Sequence, residues 1–275
     1  MFYNNTLQDM EVQLLLKTLY HCCGFDFRDY APSYLKRRIW EVICAERLGT
    51  ASNLQEKIVC DPACSERVVL ALSVRRTAMF RSPAFFLAFR AKVLPLLRTY
   101  PFHRIWSVGC ATGEEAYAMA ILLEEEGLYR RCRIYATDMN EAVLQEAQDG
   151  IFPLSRVKQY AENYLKAGGK RSFSDYYTKD DDHVIIHSLL KPNIVFAPHN
   201  LATDASFNEF HVILCRNVTI AFNPSLQERV HHLLYESLVR LGVLCVGSKK
   251  SLISTSHKKD YVELAGREKI YRRIR

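Results

Sequence analysis

The chain has 275 residues, 49% of them hydrophobic and 24% charged with both signs interspersed. That composition excludes a disordered chain and gives one large domain or two modest ones a real core. The net charge of +7 favours an acidic partner (nucleic acid, a membrane surface or an acidic protein) over a basic one, and a merely solvated surface is the plainer reading.

No apolar run reaches the eighteen or so residues that a membrane helix needs. Met1 to Met10 lacks a basic segment followed by an apolar core, so no signal peptide or membrane insertion is expected, and a cytoplasmic location is. Nine cysteines without a C-x-x-C unit argue for free thiols and against zinc, disulfides or any other metal site.

Up to about Ser73 the pattern is helical. Leu14, Leu15 and Leu19, then Tyr34, Leu35, Ile39, Val42 and Ile43, recur at helical spacing. A further helix is expected over Leu54 to Leu72, capped by Ser52 or Asn53. Residues 1–73 therefore read as an all-helical domain. Pro83 to Leu97 reads as an apolar helix within a linker, 74–97, with Pro83 in its first turn.

From Arg104 strands and helices alternate. Strands are expected at Arg104–Val108, Arg133–Thr137, Ile194–Ala197, Val212–Cys215 and Val243–Val246. Helices are expected at Glu114–Glu126, Glu141–Gln148 and Ser225–Leu241. The alternation predicts an α/β fold over 98–275, a doubly wound, mostly parallel sheet with helices on both faces. About 150–192 the alternation breaks. Gly168-Gly169, the run Phe173, Tyr176, Tyr177 and the strand-like His183–Ile186 predict an inserted β-hairpin unit.

The chemistry concentrates in Val108-Gly109-Cys110-Ala111-Thr112-Gly113-Glu114-Glu115, which follows a strand and opens a helix. Parallel sheets bind ligands at the carboxyl ends of their strands, and glycine there permits close approach to backbone. The segment departs from G-x-G-x-x-G at Ala111. Glu114 and Glu115 then stand where a pyrophosphate would rest, which disfavours a phosphate and suits a cationic ligand. S-Adenosylmethionine, with an ammonium, a sulfonium and no phosphate, meets that requirement. Asp138, ending the next strand, stands where a carboxylate accepts ribose hydroxyls; a turn or helix cap before Glu141 is its simpler reading. His199-Asn200-Leu201 and Cys215-Arg216-Asn217-Val218 reach the same edge, where Asn fits an adenine or amino-acid group and Arg216 a carboxylate.

Together these segments resemble the chemotaxis-receptor methyltransferases, the CheR family. Arg104 to Tyr117 is similar to its first motif. Tyr135-Ala136-Thr137-Asp138, His199-Asn200-Leu201 and Leu214 to Val218 are similar to its later motifs, in order. Thr77-Ala78-Met79-Phe80-Arg81 resembles the entry to its catalytic domain, and Tyr34-Leu35-Lys36-Arg37-Arg38 its helical domain. The resemblance implies methyl transfer from S-adenosylmethionine, with S-adenosylhomocysteine as product, to glutamate side chains in the cytoplasmic helices of a chemoreceptor. It implies a cofactor pocket of Thr77, Arg81, Gly109, Glu115, Asp138, Asn200, Leu201, Arg216 and Asn217, with Arg81 catalytic by steering the incoming carboxylate. Lys36, Arg37, Arg38 and Arg47 would meet the acidic substrate helices; a solvated helix face is the alternative. The inserted unit resembles a β-subdomain that in some members docks a receptor tail.

The sequence also departs from that family. Ala221 stands where an aromatic residue, usually tyrosine, precedes Phe222, and its loss is expected to leave a gap beside the methyl. Ala78, Ser82 and Lys250 replace acidic residues, and Arg75 and Arg76 add positive charge. These changes leave two readings, an active enzyme with an altered substrate and a weakened, cofactor-binding sensor or scaffold. A nucleic-acid binder has only the net charge behind it, since no such motif is present.

Overall fold

The computed structural model describes residues 5–73, 77–247 and 255–275. Arg75, Arg76 and Lys250 lie outside them. The chain forms two compact units: residues 1–75 with 221–229, and residues 76–220 with 230–275.

The first unit contains α1 (Asn5–Cys23), α2 (Pro32–Ala45), α3 (Ala51–Cys60) and α4 (Pro62–Leu72). Leu15, Leu16, Leu19, Leu35, Ile39, Leu54, Val68 and Leu72 fill its interior, whereas Leu14, expected inside, is half exposed to solvent. The expected helix over 54–72 is two helices. Pro62 has no N–H to continue α3, and Asp61 ends it and caps α4 by accepting from Ala63 N at 3.0 Å. The cap of α3 is Thr50, whose Oγ1 accepts from Asn53 N at 3.1 Å. Neither Ser52 nor Asn53 caps it; Ser52 donates to Glu11 at 2.8 Å.

The second unit opens with α5 (Pro83–Lys92) and α6 (Leu94–Leu97). Their Phe85, Phe86, Phe89 and Leu94 belong to this unit's core, so the segment read as a linker is built into it. There follow β1 (His103–Val108), α7 (Glu114–Glu125), β2 (Cys132–Asp138) and α8 (Glu141–Asp149). After an insertion come β6 (Ile194–Pro198), β7 (Phe210–Cys215), α10 (Pro224–Glu236, its first turns grouped with the helical unit) and β8 (Leu238–Val246). The expected helix to Leu241 thus stops at Glu236 and the next strand starts earlier. Two further strands, β9 (Tyr261–Ala265) and β10 (Ile270–Arg273), carry no counterpart in the sequence reading.

These seven strands form one sheet in the order β6-β2-β1-β7-β8-β10-β9. The first five are mutually parallel and β10 runs against its neighbours. The fold is therefore the expected mostly parallel α/β sheet. Chain order reverses at β1, which lies between β2 and β7, so the crevice at a topological switch point opens at the carboxyl end of β1.

The insertion holds β3 (Ile151–Pro153), α9 (Leu154–Lys166), β4 (Tyr177–Asp180) and β5 (His183–Ile186). Its three strands pair antiparallel in the order β3-β5-β4. The hairpin reading is right for β4 and β5 and misses α9, whose Val157, Tyr160 and Tyr164 form a narrow buried stripe on an otherwise polar helix. Among the described residues, no helix is long and apolar enough to cross a membrane.

Candidate functional site

The loop between β1 and α7 is held by backbone conformations that ordinary residues avoid. Gly109, Ala111 and Gly113 have φ of 60°, 48° and 89°. Glycine takes such values freely; alanine does so at a cost of about 1–2 kcal/mol. At Gly109 a side chain is also barred by space, since a Cβ would sit 2.6 Å from Val218 Cγ2.

Asp138 keeps the loop in place. Its Oδ2 accepts from Ala111 N at 3.0 Å and its Oδ1 from Asn140 N at 3.1 Å. Cys110 N donates to Thr137 O at 2.9 Å, fastening the loop to the end of β2. Burial pushes the Asp138 carboxyl above its usual range, and the N–H groups of Asn140, Ala111 and Met139 pull the other way. The turn reading and the ligand reading of Asp138 are thus compatible. Backbone N–H groups do not use every acceptor site of the two oxygens, and what remains is open to a ligand hydroxyl.

The two adjacent glutamates, expected to face a ligand together, point apart. Glu114 is fully buried. It accepts from Thr112 Oγ1 at 2.6 Å, Tyr160 Oη at 3.1 Å and Arg156 Nη1 at 3.3 Å, the last two from α9 of the insertion. It is a fastening of the insertion rather than part of the crevice. Glu115 is the carboxylate at the crevice. It accepts from Arg216 Nη1 at 2.5 Å. The guanidinium of Arg216 also donates to Arg81 O at 3.0 Å and lies 3.9 Å over the Phe85 ring. The carboxylate that Arg216 holds is therefore Glu115 of its own chain. That satisfies the charge of both groups.

The remaining expected residues surround this centre unequally. Asn217 has φ of 65°, and Gly247, whose Cβ would lie 2.9 Å from Asn217 N, lets the end of β8 approach it. Asn200 shapes its own turn, with Oδ1 accepting from Ala202 N at 2.9 Å and its N–H donating to Asp204 at 2.8 Å. Leu201 is buried. Thr77 is half-buried and Arg81 exposed. Arg81 stands between two strained positions, Phe80 (φ 52°) and Ser82 (φ 61°), and Phe80 is fully buried. No sequence motif flagged that strained turn, although strain held by a packed aromatic is common beside binding sites. Ala78 packs against the core.

The basic run falls in the first unit and is largely neutralised there. Lys36 pairs with Asp9 at 2.5 Å, and Arg37 and Arg38 share Glu41 at 3.9 and 2.7 Å. Ala221 also belongs to that unit. It is fully buried, and its carbonyl accepts from Ala31 N at 2.7 Å, while Phe222 packs edge-on against Tyr30. A tyrosine at Ala221 would have to enter a fully buried position. All nine cysteines are free, and among the described residues no group of three or more His, Cys, Asp or Glu is arranged to hold a metal.

A carboxylate at the end of β2, a second in the first turn of α7 and a strained glycine loop fit a phosphate-free, cationic nucleoside. Glu115 and Asp138 would hold its ammonium and its ribose hydroxyls. The comparisons with known proteins agree. Residues 75–267 match the family described as CheR methyltransferase, SAM binding domain, and residues 10–73 match CheR methyltransferase, all-alpha domain. A Pseudomonas putida protein named Cher3 is 42% identical over 96% of this chain and 97% of its own length. Proteins named chemotaxis protein methyltransferase are 27% identical: one from Listeria monocytogenes over 84% of this chain and 86% of its own, and one from Vibrio cholerae over 94% of each. The chain belongs to the CheR methyltransferase family, and its cofactor is S-adenosylmethionine.

Proposed function

We propose that this methyltransferase esterifies glutamate side chains in a helical cytoplasmic segment of a chemoreceptor-like protein. The observation that carries the reading is the division of labour at the crevice: Glu115 is held by Arg216 and Asp138 by backbone N–H groups, and neither is poised as a general base. A glutamate acceptor needs none. Its ordinary pKa near 4.3 leaves it ionised at neutral pH and already nucleophilic. S-Adenosylmethionine, when bound, supplies an electrophilic methyl on a sulfonium leaving group. The chain's own residues then have to position. Asp138 and the loop it holds fix the nucleoside, Glu115 takes the ammonium, and Arg81 on its strained turn steers the acceptor carboxylate. Positioning of this kind is worth roughly 7–11 kcal/mol. Thr77, Asn200, Leu201 and Asn217 complete the wall of the pocket. Arg216 acts through Glu115.

Incubation with methyl-labelled cofactor and a receptor cytoplasmic fragment tests the reading. The expected product is label on the fragment that alkali releases as methanol. Label that resists alkali, or label that persists when the acceptor glutamates are changed to alanine, would overturn glutamate as the acceptor. Arg81→Ala is expected to lower kcat at least tenfold with little change in cofactor affinity.

A further inference from the structure

The excess positive charge does not lie in the helical unit. The helical unit holds ten Lys or Arg and ten Asp or Glu, so the whole +7 belongs to the second unit. Residues 255–275 alone carry seven Lys or Arg against three Asp or Glu.

Strand register shows where much of that charge gathers. Arg104 at the start of β1 pairs with Arg133 at the start of β2, and Arg131 precedes it. Between Phe210/Val212 of β7 and Leu238/Val243 of β8 the pairing slips, and the extra residues, Arg240 and Leu241 among them, bulge outward. Arg272, near the end of β10, pairs with Val243, and Lys258 and Lys259 lie just before β9. All seven cations stand at the amino ends of the parallel strands, the rim opposite the cofactor crevice. Among the described residues none of the seven has a carboxylate partner. The guanidinium groups of Arg104, Arg133 and Arg272 donate to carbonyl oxygens, of Glu209, Pro192 and Leu241. The carboxylates nearby are Glu209, exposed beside Arg104, Asp260, taken by His257 at 3.3 Å, Glu236, taken by His232 at 3.2 Å, and Glu124, which with Arg133 acts on Tyr129. His103 and His211 register the field. Burial is the main cause that lowers both, and Arg131 and Arg104 respectively add to it.

The same rim exposes apolar side chains among the cations: Phe102 (46%), Leu241 (43%) and Ile274 (40%). We propose that this rim docks on an anionic membrane surface. Cations without carboxylate partners suit acidic headgroups, which are fluid and rearrange to meet them. Phe102, Leu241 and Ile274 reach the acyl boundary, a role that a nucleic-acid backbone does not offer them. The binding is peripheral, and it rests on the second unit alone, independent of the methyl acceptor.

Sedimentation of the full chain with vesicles tests it. Binding is expected to vesicles of phosphatidylcholine containing about one third phosphatidylserine, to weaken steeply with salt, and to be absent on phosphatidylcholine alone. The triple variant Arg131→Glu, Arg240→Glu, Lys259→Glu should lose at least tenfold in partition while keeping its melting temperature and its affinity for S-adenosylhomocysteine. Phe102→Ser with Leu241→Ser should weaken binding that persists at moderate salt. No sedimentation at low salt, or equal binding by the triple variant, overturns the proposal. Retention on duplex DNA that the triple variant loses, without retention on anionic vesicles, overturns it in favour of nucleic acid.

Discussion

The two rims of the parallel sheet use charge in opposite ways. At the carboxyl rim the site's charges are tied to partners: Arg216 to Glu115, and Asp138 to the N–H groups of Ala111 and Asn140. At the amino rim the cations of β1, β2, β8 and β10 have no carboxylate partner among the described residues. Tied charges give fixed geometry, which a reaction centre needs. Untied charges give reach and a long-range field at little structural cost. Substitutions should therefore be felt sharply at the first rim and softly at the second.

The largest effect should come from breaking the tied pair. Arg216→Met leaves Glu115, whose side chain is 16% exposed, without its cation. Loss of one partner of a buried pair costs about 3–5 kcal/mol, so urea unfolding of the second unit should shift by that order, with cofactor binding lost alongside.

Next is an acid effect at the amino rim. His103 is fully buried, neither ring nitrogen has a hydrogen-bond partner among the described residues, and its pKa is lowered to about 4 from 6.5. Below pH 6.5 the unfolded chain takes up a proton that the folded chain refuses. Stability should therefore fall between pH 6.5 and 4, by up to about 3 kcal/mol. Melting curves over that window check it, and the His103→Phe variant should show a shallower decline. An unchanged slope would mean that other groups dominate.

A milder change at the crevice is Asp138→Asn. It keeps an acceptor for one backbone N–H but brings an NH2 against the other. A charge-assisted bond is worth about 1.5–3 kcal/mol, so calorimetry with S-adenosylhomocysteine should show affinity weakened by roughly ten- to a hundredfold. The smallest effect lies away from both rims. Thr50→Ala removes only the cap of α3 and should cost about 1 kcal/mol, read by denaturation, with cofactor affinity unaltered.

Much of the carboxyl rim was legible because glycine and carboxylate positions carry their meaning locally. Gly109, Gly113 and Asp138 could be placed from the strand-loop-helix rhythm alone. The pairing of Arg216 with Glu115 could not, because it joins residues 101 positions apart. Nor could the separate fates of Glu114 and Glu115, which depend on a helix from the insertion. That helix, α9, was missed because its apolar stripe is narrow and its neighbours, Gly168-Gly169 and the tyrosine run, look like hairpin punctuation. The break between α3 and α4 was written in Asp61-Pro62, a dipeptide that ends one helix and starts another. That Lys36 to Arg38 pair with Asp9 and Glu41 was not legible, because Asp9 lies on another helix.

The burial of Glu114 has a consequence for how the insertion can be altered. Tyr160 and Arg156 are two of the three groups that solvate this carboxylate. A second stitch lies at the other end of α7, where Glu125 accepts from Tyr164, Tyr176 and Arg90. Excising residues 150–192 would expose both anions' apolar surroundings and strand the first beside the cofactor loop. The insertion is thus no detachable accessory. A chain lacking it should lose its grip on the nucleoside even though no residue of the glycine loop is touched.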